Sequence, residues 1–148
     1  MTLIALATYQ VAATKDMLEE AFAIRQKVFV EEQGVPKSIE RDNLDDKAIH
    51  MIVIFPDGKI VGTGRLITEG KQGKIGRMAV LPEYRKKGLG HKLLLELIKI
   101  GILTGINTFY LHAQLPVVHF YKNVGFKPMS TEEFLEAGIS HIAMELRI

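Results

Sequence analysis

The sequence predicts a mixed α+β fold, and three observations carry that expectation. Apolar runs of strand length lie at 48–55, 59–66 and 74–80 with turn residues between them. An amphipathic stretch follows at 88–101, and the chain closes as strand, helix, strand, helix, strand. The strands come first and the helices are interspersed later, which is not the regular alternation of a parallel α/β sheet.

At 148 residues and 47% hydrophobic content, one domain spanning 1–148 with a substantial core is expected. Nineteen basic against 17 acidic residues leave no global field for nucleic acid or an anionic membrane. A nucleic-acid role through Arg85, Lys86, Lys87, Lys92 and Lys99 would lack a broad basic face with interleaved aromatics. The absence of cysteine removes disulfides, thiolate nucleophiles and thiolate zinc sites, and it suits a reducing cytoplasm. The first 13 residues begin apolar but carry no early Lys or Arg, so no signal peptide is expected. No apolar run is long enough to span a bilayer.

Along the chain, residues 3–8 read as a first strand. Thr14 then caps a helix over 16–29, with Asp16, Glu19 and Glu20 near its positive end. Met17, Leu18, Ala21, Phe22, Ile24, Val28 and Phe29 share one face of that helix, and Arg25 projects from the same stripe, where a charge needs a partner. Residues 31–46 contain Gly34, Pro36 and six carboxylates and read as a long loop with at most a short helical turn. Asp57-Gly58 marks a hairpin between the next two strands, and Pro82 takes the chain out of the sheet after the third. Leu89, Leu93, Leu94, Leu97, Ile98 and Ile100 form the core face of the following helix. Residues 108–113 are strand-like, and 116–123 form a short helix ended by Gly125. Phe126 and Lys127 restart the sheet, Ser130 or Thr131 caps a last short helix through Ala137, and 139–146 is a closing strand.

The segment 78–101 is the most informative. A strand runs into Arg85-Lys86-Lys87-Gly88-Leu89-Gly90, where two glycines sit at a helix start and leave amides uncovered at its positive end, a cradle for an anionic diphosphate. A Walker loop would need a Ser or Thr two residues after Gly90, where Lys92 stands. A Rossmann fingerprint would need a small residue at Leu93 and an acid about twenty residues on, where Tyr110 and Leu111 stand.

The pattern Val-x-Pro-x-x-Arg-x-x-Gly-x-Gly from Val80 to Gly90 resembles the coenzyme A signature of the Gcn5-related N-acetyltransferase (GNAT) superfamily. Phe120-Tyr121-Lys122-Asn123-Val124-Gly125-Phe126 resembles its second motif, F-Y-x-x-x-G-F. Ile24 to Pro36, Leu111 to Gln114 and Gly138 to Met144 are similar to segments of the ElaA/YjcF-like branch. The resemblance implies a mostly antiparallel, twisted sheet of about six to seven strands flanked by helices and splayed around the cofactor. It implies acetyl-CoA as acetyl donor with no metal, and direct attack of a primary amine of a small molecule or protein on the thioester.

Coenzyme A would then lie on Met78, Ala79 and Val80, on Arg85, Lys86, Lys87, Gly88, Leu89, Gly90 and His91, and near Gln114, Phe120 and Lys122. The resemblance makes Tyr121 the acid that protonates the leaving sulfur and the Val80 amide the oxyanion donor; the alternative for Tyr121 is a packed aromatic. Glu31, Glu32, His112 and His141 can each serve as base, with Glu32 and His112 ranked ahead, although a lone strand histidine is commonly just hydrogen-bonded structure. His119 is expected to be exposed. Arg25, Glu31 and His141 are candidates for binding substrate; Arg25 alternatively pairs with Glu32 or another acid of the loop. The competing function is a non-catalytic acyl-CoA-binding sensor or interaction module. A homodimer is compatible with so many apolar strands.

Overall fold

The computed structural model describes residues 4–148. Seven strands form one sheet in the order β1-β2-β3-β4-β5-β7-β6, with β1 at Thr8–Val11, β2 at Ile49–Ile54, β3 at Ile60–Glu69, β4 at Gln72–Val80, β5 at Thr108–Gln114, β6 at Lys127–Glu136 and β7 at Ile139–Arg147. All neighbours are antiparallel except β4 and β5. Those two pair only from Gln72↔Thr108 to Lys74↔Tyr110. Beyond Lys74 they are unpaired, and the sheet opens into a wedge whose walls are the ends of β4 and β5. A register shift in β4 accompanies the opening: the β3 partners step from Thr63↔Ala79 to Arg65↔Gly76, and Arg77 takes φ +52, a bulge in the left-handed region.

Helix α1 (Lys15–Arg25) starts where predicted: the Thr14 hydroxyl accepts the Met17 amide at 3.2 Å. It does not stop at Phe29. The chain continues as a π-helical stretch, Gln26–Glu32, with Gln33 N–H reaching back five residues to the Val28 carbonyl at 3.1 Å. Glu31 and Glu32 therefore belong to a helical end and not to the loop. The loop itself holds α2 (Lys37–Glu40) and a 3₁₀ turn at Asp45–Lys47.

Strand β2 is buried along its centre because helices cover both faces of the sheet. Met51 and Val53 join the core beneath α3 (Leu89–Leu103), while Ile52 packs with Ala12 and Ala21 beneath α1. Two glycines allow α3 to sit close: a Cβ on Gly64 would lie 2.7 Å from Leu97 Cδ1, and one on Gly101 would lie 2.4 Å from the Phe109 ring. After β5 come a 3₁₀ turn at Leu115–Val117 and α4 (Val118–Lys122).

Two predicted elements are corrected. The first strand lies at Thr8–Val11 and not at 3–8, and Leu3 falls outside the described residues. The segment after Ser130 is not a helix but the continuation of β6, which pairs with β7 through Glu133↔Ile142 and Glu136↔Ile139. Ala137 at φ +53 and Gly138 at φ +77 are the two central residues of a tight hairpin turn; Gly138 ends a strand and not a helix.

Candidate active site

The opening between β4 and β5 is a cavity of about 740 Å³. Its walls come from the π-helical end of α1, the loop after it, β4, the Arg85–Gly90 loop, β5, α4 and the β6–β7 turn.

The β4 wall offers backbone. Gly62↔Val80 is flanked by the Leu81 N–H bond to the Val61 carbonyl at 2.9 Å, which makes it a non-hydrogen-bonded pair. The N–H and C=O of Val80 therefore point away from β3, toward the open edge. The carbonyl accepts Arg85 Nε at 2.8 Å.

The following loop is built to present amides. Lys86 (φ +61) and Gly88 (φ +84) are both left-handed, a two-residue alternation that turns successive N–H groups inward as an anion-binding nest. Arg85 N–H bonds to the Pro82 carbonyl, and the first intrahelical bond of α3 is from Lys92 N–H to the Gly88 carbonyl at 3.1 Å. Among the described residues, the amides from Lys86 to His91 donate to no carbonyl. The helix macrodipole adds positive potential at the same place. Lys86 and Gly90 line the cavity, whereas Lys87 and His91 are exposed beside it and the Leu89 side chain is locked in the core. The donor set fits a diphosphate.

Arg85 lines the cavity and is also held by protein groups. Besides Val80, its guanidinium forks onto Glu32, with both N–H···O distances 2.7 Å. It thus braces the end of the α1 extension against the cradle. The Arg85 hydrogen bonds hold the Glu32 carboxyl below its ordinary range, which makes Glu32 a poor base.

Arg25 does not reach the cavity. Its side chain is buried and engaged by Glu40 (Nε–Oε2 3.0 Å) and Asp45 (Nη1–Oδ1 2.8 Å), and Nη2 donates to the Glu40 carbonyl. Arg65 and Arg77 complete the network with Asp42, Asp45 and Glu40. Of the two expectations for Arg25, pairing with a loop acid is the one realised, and the partners are Glu40 and Asp45, not Glu32. The acidic loop is accordingly tied to the sheet by Arg65 and Arg77 and to the end of α1 by Arg25. Burial would raise the Asp45 carboxyl, but hydrogen bonds and charge from Arg25, with Arg65 and the Asp42 amide, hold it far below the usual range.

Tyr121 is buried, stacks edge-on with Phe120 and Phe126, and lines the cavity. Burial pushes its phenol up to about 12, so it remains protonated at neutral pH. Its hydroxyl donates to no described residue, which leaves the proton available to the cavity. Phe120 also lines it; Lys122 and His119 are exposed outside it, and Glu31 is exposed with no lining role.

On the β5 wall, His112, Gln114 and the β7 residue His141 face the cavity. Gln114 Nε2 donates to Gln33 Oε1 at 2.9 Å, linking the α1 extension to the far wall. His112 Nδ1 donates to Glu136 Oε1 at 2.9 Å, and His141 Nε2 lies 3.7 Å from Glu136 Oε2. Gln33 and Glu136 both went unrecognised in the sequence. Gln33 lies inside the segment similar to the ElaA/YjcF-like branch, and Glu136 was hidden by the helical reading of 130–137.

A wedge with free β4 backbone on one wall, an amide cradle at its end and a protonated tyrosine inside is the geometry of acyl-CoA chemistry, and comparison decides the matter. The family profile described as acetyltransferase (GNAT) domain matches residues 12–148. The chain belongs to the GNAT acetyltransferase family. It is 39% identical over 134 residues to the uncharacterized N-acetyltransferase YjcF of Bacillus subtilis, covering 90% of this chain and 95% of that one. Among solved structures, Escherichia coli ElaA superposes with a TM-score of 0.82 at 26% identity, covering 94% of this chain and 98% of that one. An acyl-CoA N-acyltransferase from Pseudomonas aeruginosa gives 0.79 at 29% identity, covering 94% and 97%. As a GNAT protein the chain is an acyltransferase that uses an acyl-CoA donor and an amine acceptor. No described helix is long and apolar enough to cross a membrane.

Proposed function

We propose that residues 1–148 form one N-acetyltransferase domain that moves the acetyl group of acetyl-CoA to a primary amine of a small molecule or protein. The observation that carries this reading is the continuity of the free β4 edge with the amides of Lys86 to His91. It supplies amide partners for a pantetheine arm and then N–H donors for a diphosphate. Met78, Ala79 and Val80 take the arm, Lys86, Gly88 and Gly90 the diphosphate, and Phe120 and Gln114 flank the thioester region.

The amine nitrogen attacks the thioester carbon directly. The Val80 N–H, aimed at the cleft, is the donor for the oxyanion that forms. As the C–S bond breaks, Tyr121 gives its proton to the leaving thiolate. His112 takes the proton that the attacking amine must lose. It is preferred to Glu32, whose two oxygens each accept from Arg85 and which lies outside the cavity lining. Protonated Tyr121 also favours catalysis over a non-catalytic acyl-CoA-binding sensor, in which a buried phenol without a protein partner would have no task.

The cradle is tested by calorimetry with acetyl-CoA. Gly88 has φ +84, so Gly88→Val must either strain the backbone or unwind the nest. We expect roughly tenfold or greater weakening of acetyl-CoA binding, since a forced left-handed residue costs about 1–2 kcal/mol or more. Unchanged affinity in Gly88→Val would remove the cradle from the diphosphate site.

A further inference from the structure

Glu136 sits at the last position of β6, paired with Ile139 of β7 across the tight turn through Ala137 and Gly138, and its side chain reaches over β7 to β5. Its carboxylate touches two imidazoles on the cavity wall, one through each oxygen: His112 Nδ1 at 2.9 Å and His141 Nε2 at 3.7 Å. The two contacts differ in kind. His141 Nδ1 already donates to the Ile139 carbonyl at 2.7 Å, so in the neutral ring Nε2 carries a lone pair and gives Glu136 no hydrogen bond. His112 has no such backbone partner. Its Nδ1–H bonds Glu136, and the edge of the Phe134 ring lies against its side, centroids 4.9 Å apart. The other charged group acting on Glu136 is Lys74, on the opposite wall.

We propose that Glu136 is the positioning residue for the acetyl-transfer base: it fixes His112 as the Nδ1–H tautomer, so that the Nε2 lone pair is the one available to the amine. The inference rests on the acetyltransferase reading above. A neutral imidazole free in water prefers to carry its proton on Nε2, which would leave Nε2 a donor, the wrong role for a base. A carboxylate on Nδ1 reverses that preference, holds the ring against Phe134, and stabilises the imidazolium that forms when Nε2 takes the amine proton. No covalent bond to the protein is made; after each turnover His112 gives up the amine proton and Tyr121 regains one, both through solvent, so the two groups return to their starting states.

The test is ¹⁵N NMR of histidine-labelled full-length protein above neutral pH, where the shifts of the two ring nitrogens report the tautomer directly. For His112 we expect Nδ1–H in the wild type, a change to predominantly Nε2–H in Glu136→Ala, and retention of Nδ1–H in Glu136→Gln, whose amide oxygen can still accept. In acetyl transfer to whichever amine serves as acceptor, kcat should fall by roughly 100-fold in Glu136→Ala, the low end of what a general base contributes. KM for acetyl-CoA should stay within about twofold, because Glu136 touches none of the cradle. Glu136→Gln should lie between wild type and Glu136→Ala, since it keeps the tautomer but loses the charge. An Nε2–H tautomer in the wild type, or no change in Glu136→Ala, overturns the proposal. Failure of the wild type to bind acetyl-CoA would instead sink the underlying function, and the NMR outcome would still stand on its own.

Discussion

Tyr121 shows how one sequence position acquires chemistry from its surroundings. In the sequence it is an aromatic between Phe120 and the Lys122-Asn123-Val124-Gly125 turn; in the fold, two edge-on aromatic contacts bury its ring at the cavity. Burial alone drives the phenol to about 12, because nothing nearby stabilises the phenolate. A group in that state is a donor over the whole physiological range. Tyr121→Phe keeps the packing and removes only the proton, so kcat should fall by about 100-fold or more with acetyl-CoA affinity preserved, as steady-state kinetics and calorimetry on the same sample would show. Full activity in that variant would reduce Tyr121 to packing. Glu32 makes the opposite point. Its residue type suited a base, yet the Arg85 fork commits both its oxygens to holding the α1 extension in place.

Among the elements, α3 has the tightest constraint. Gly101 lies against the face of the sheet so closely that a Cβ would fall 2.4 and 2.6 Å from two Phe109 ring atoms. Gly101→Ala should therefore destabilise the protein by about 1–3 kcal/mol despite the better helix propensity of alanine, read as a lowered urea midpoint with unchanged slope. The elements that were legible in the sequence are those whose signals are local. Thr14 capped α1, Pro82 ended β4, and the leucine spacing from Leu89 to Ile98 marked α3. Those that were not depend on distant partners. Residues 130–136 are mostly polar, with a capping-type Ser130 and Gly138 just beyond, and only pairing with β7 makes them a strand. The π-helical extension is tied to the other cavity walls through Gln33 with Gln114 and Glu32 with Arg85, and the β4 bulge carries Arg77 to Glu40, none of which is visible in hydrophobic period. The site divides the same way. The cradle from Arg85 to Gly90 is contiguous and could be read directly, while Glu136 and His112 lie 24 residues apart and meet only after the hairpin forms.

For the molecule as a whole, the network of Arg25, Arg65 and Arg77 with Glu40, Asp42 and Asp45 clamps the loop after Glu32 onto α1 and the sheet and so shapes one side of the cavity. Its stability is pH-linked with a definite sign. The Asp45 carboxyl is depressed in the fold relative to its free value of 3.8, so its contribution is complete above that value and is lost as pH falls below it. His50 adds the same sign nearer neutrality. Burial, despite its bond to the Asp45 carbonyl, keeps its imidazole below 6.5, so the unfolded chain takes up that proton first on acidification. The urea midpoint should decline gently below about pH 6.5 and steeply below about pH 4; a flat profile between pH 7 and 3 would contradict the clamp. In the proposed function, the wedge, the cradle and the two proton groups serve one event, amine-dependent breakage of the acetyl-CoA thioester. Continuous thiol detection with acetyl-CoA and a panel of primary amines tests that event most directly. Release of free thiol that depends on an added amine and falls steeply in Tyr121→Phe is the predicted result. Acetyl-CoA bound tightly with no amine-dependent thiol release from any member of the panel is the result that would contradict it.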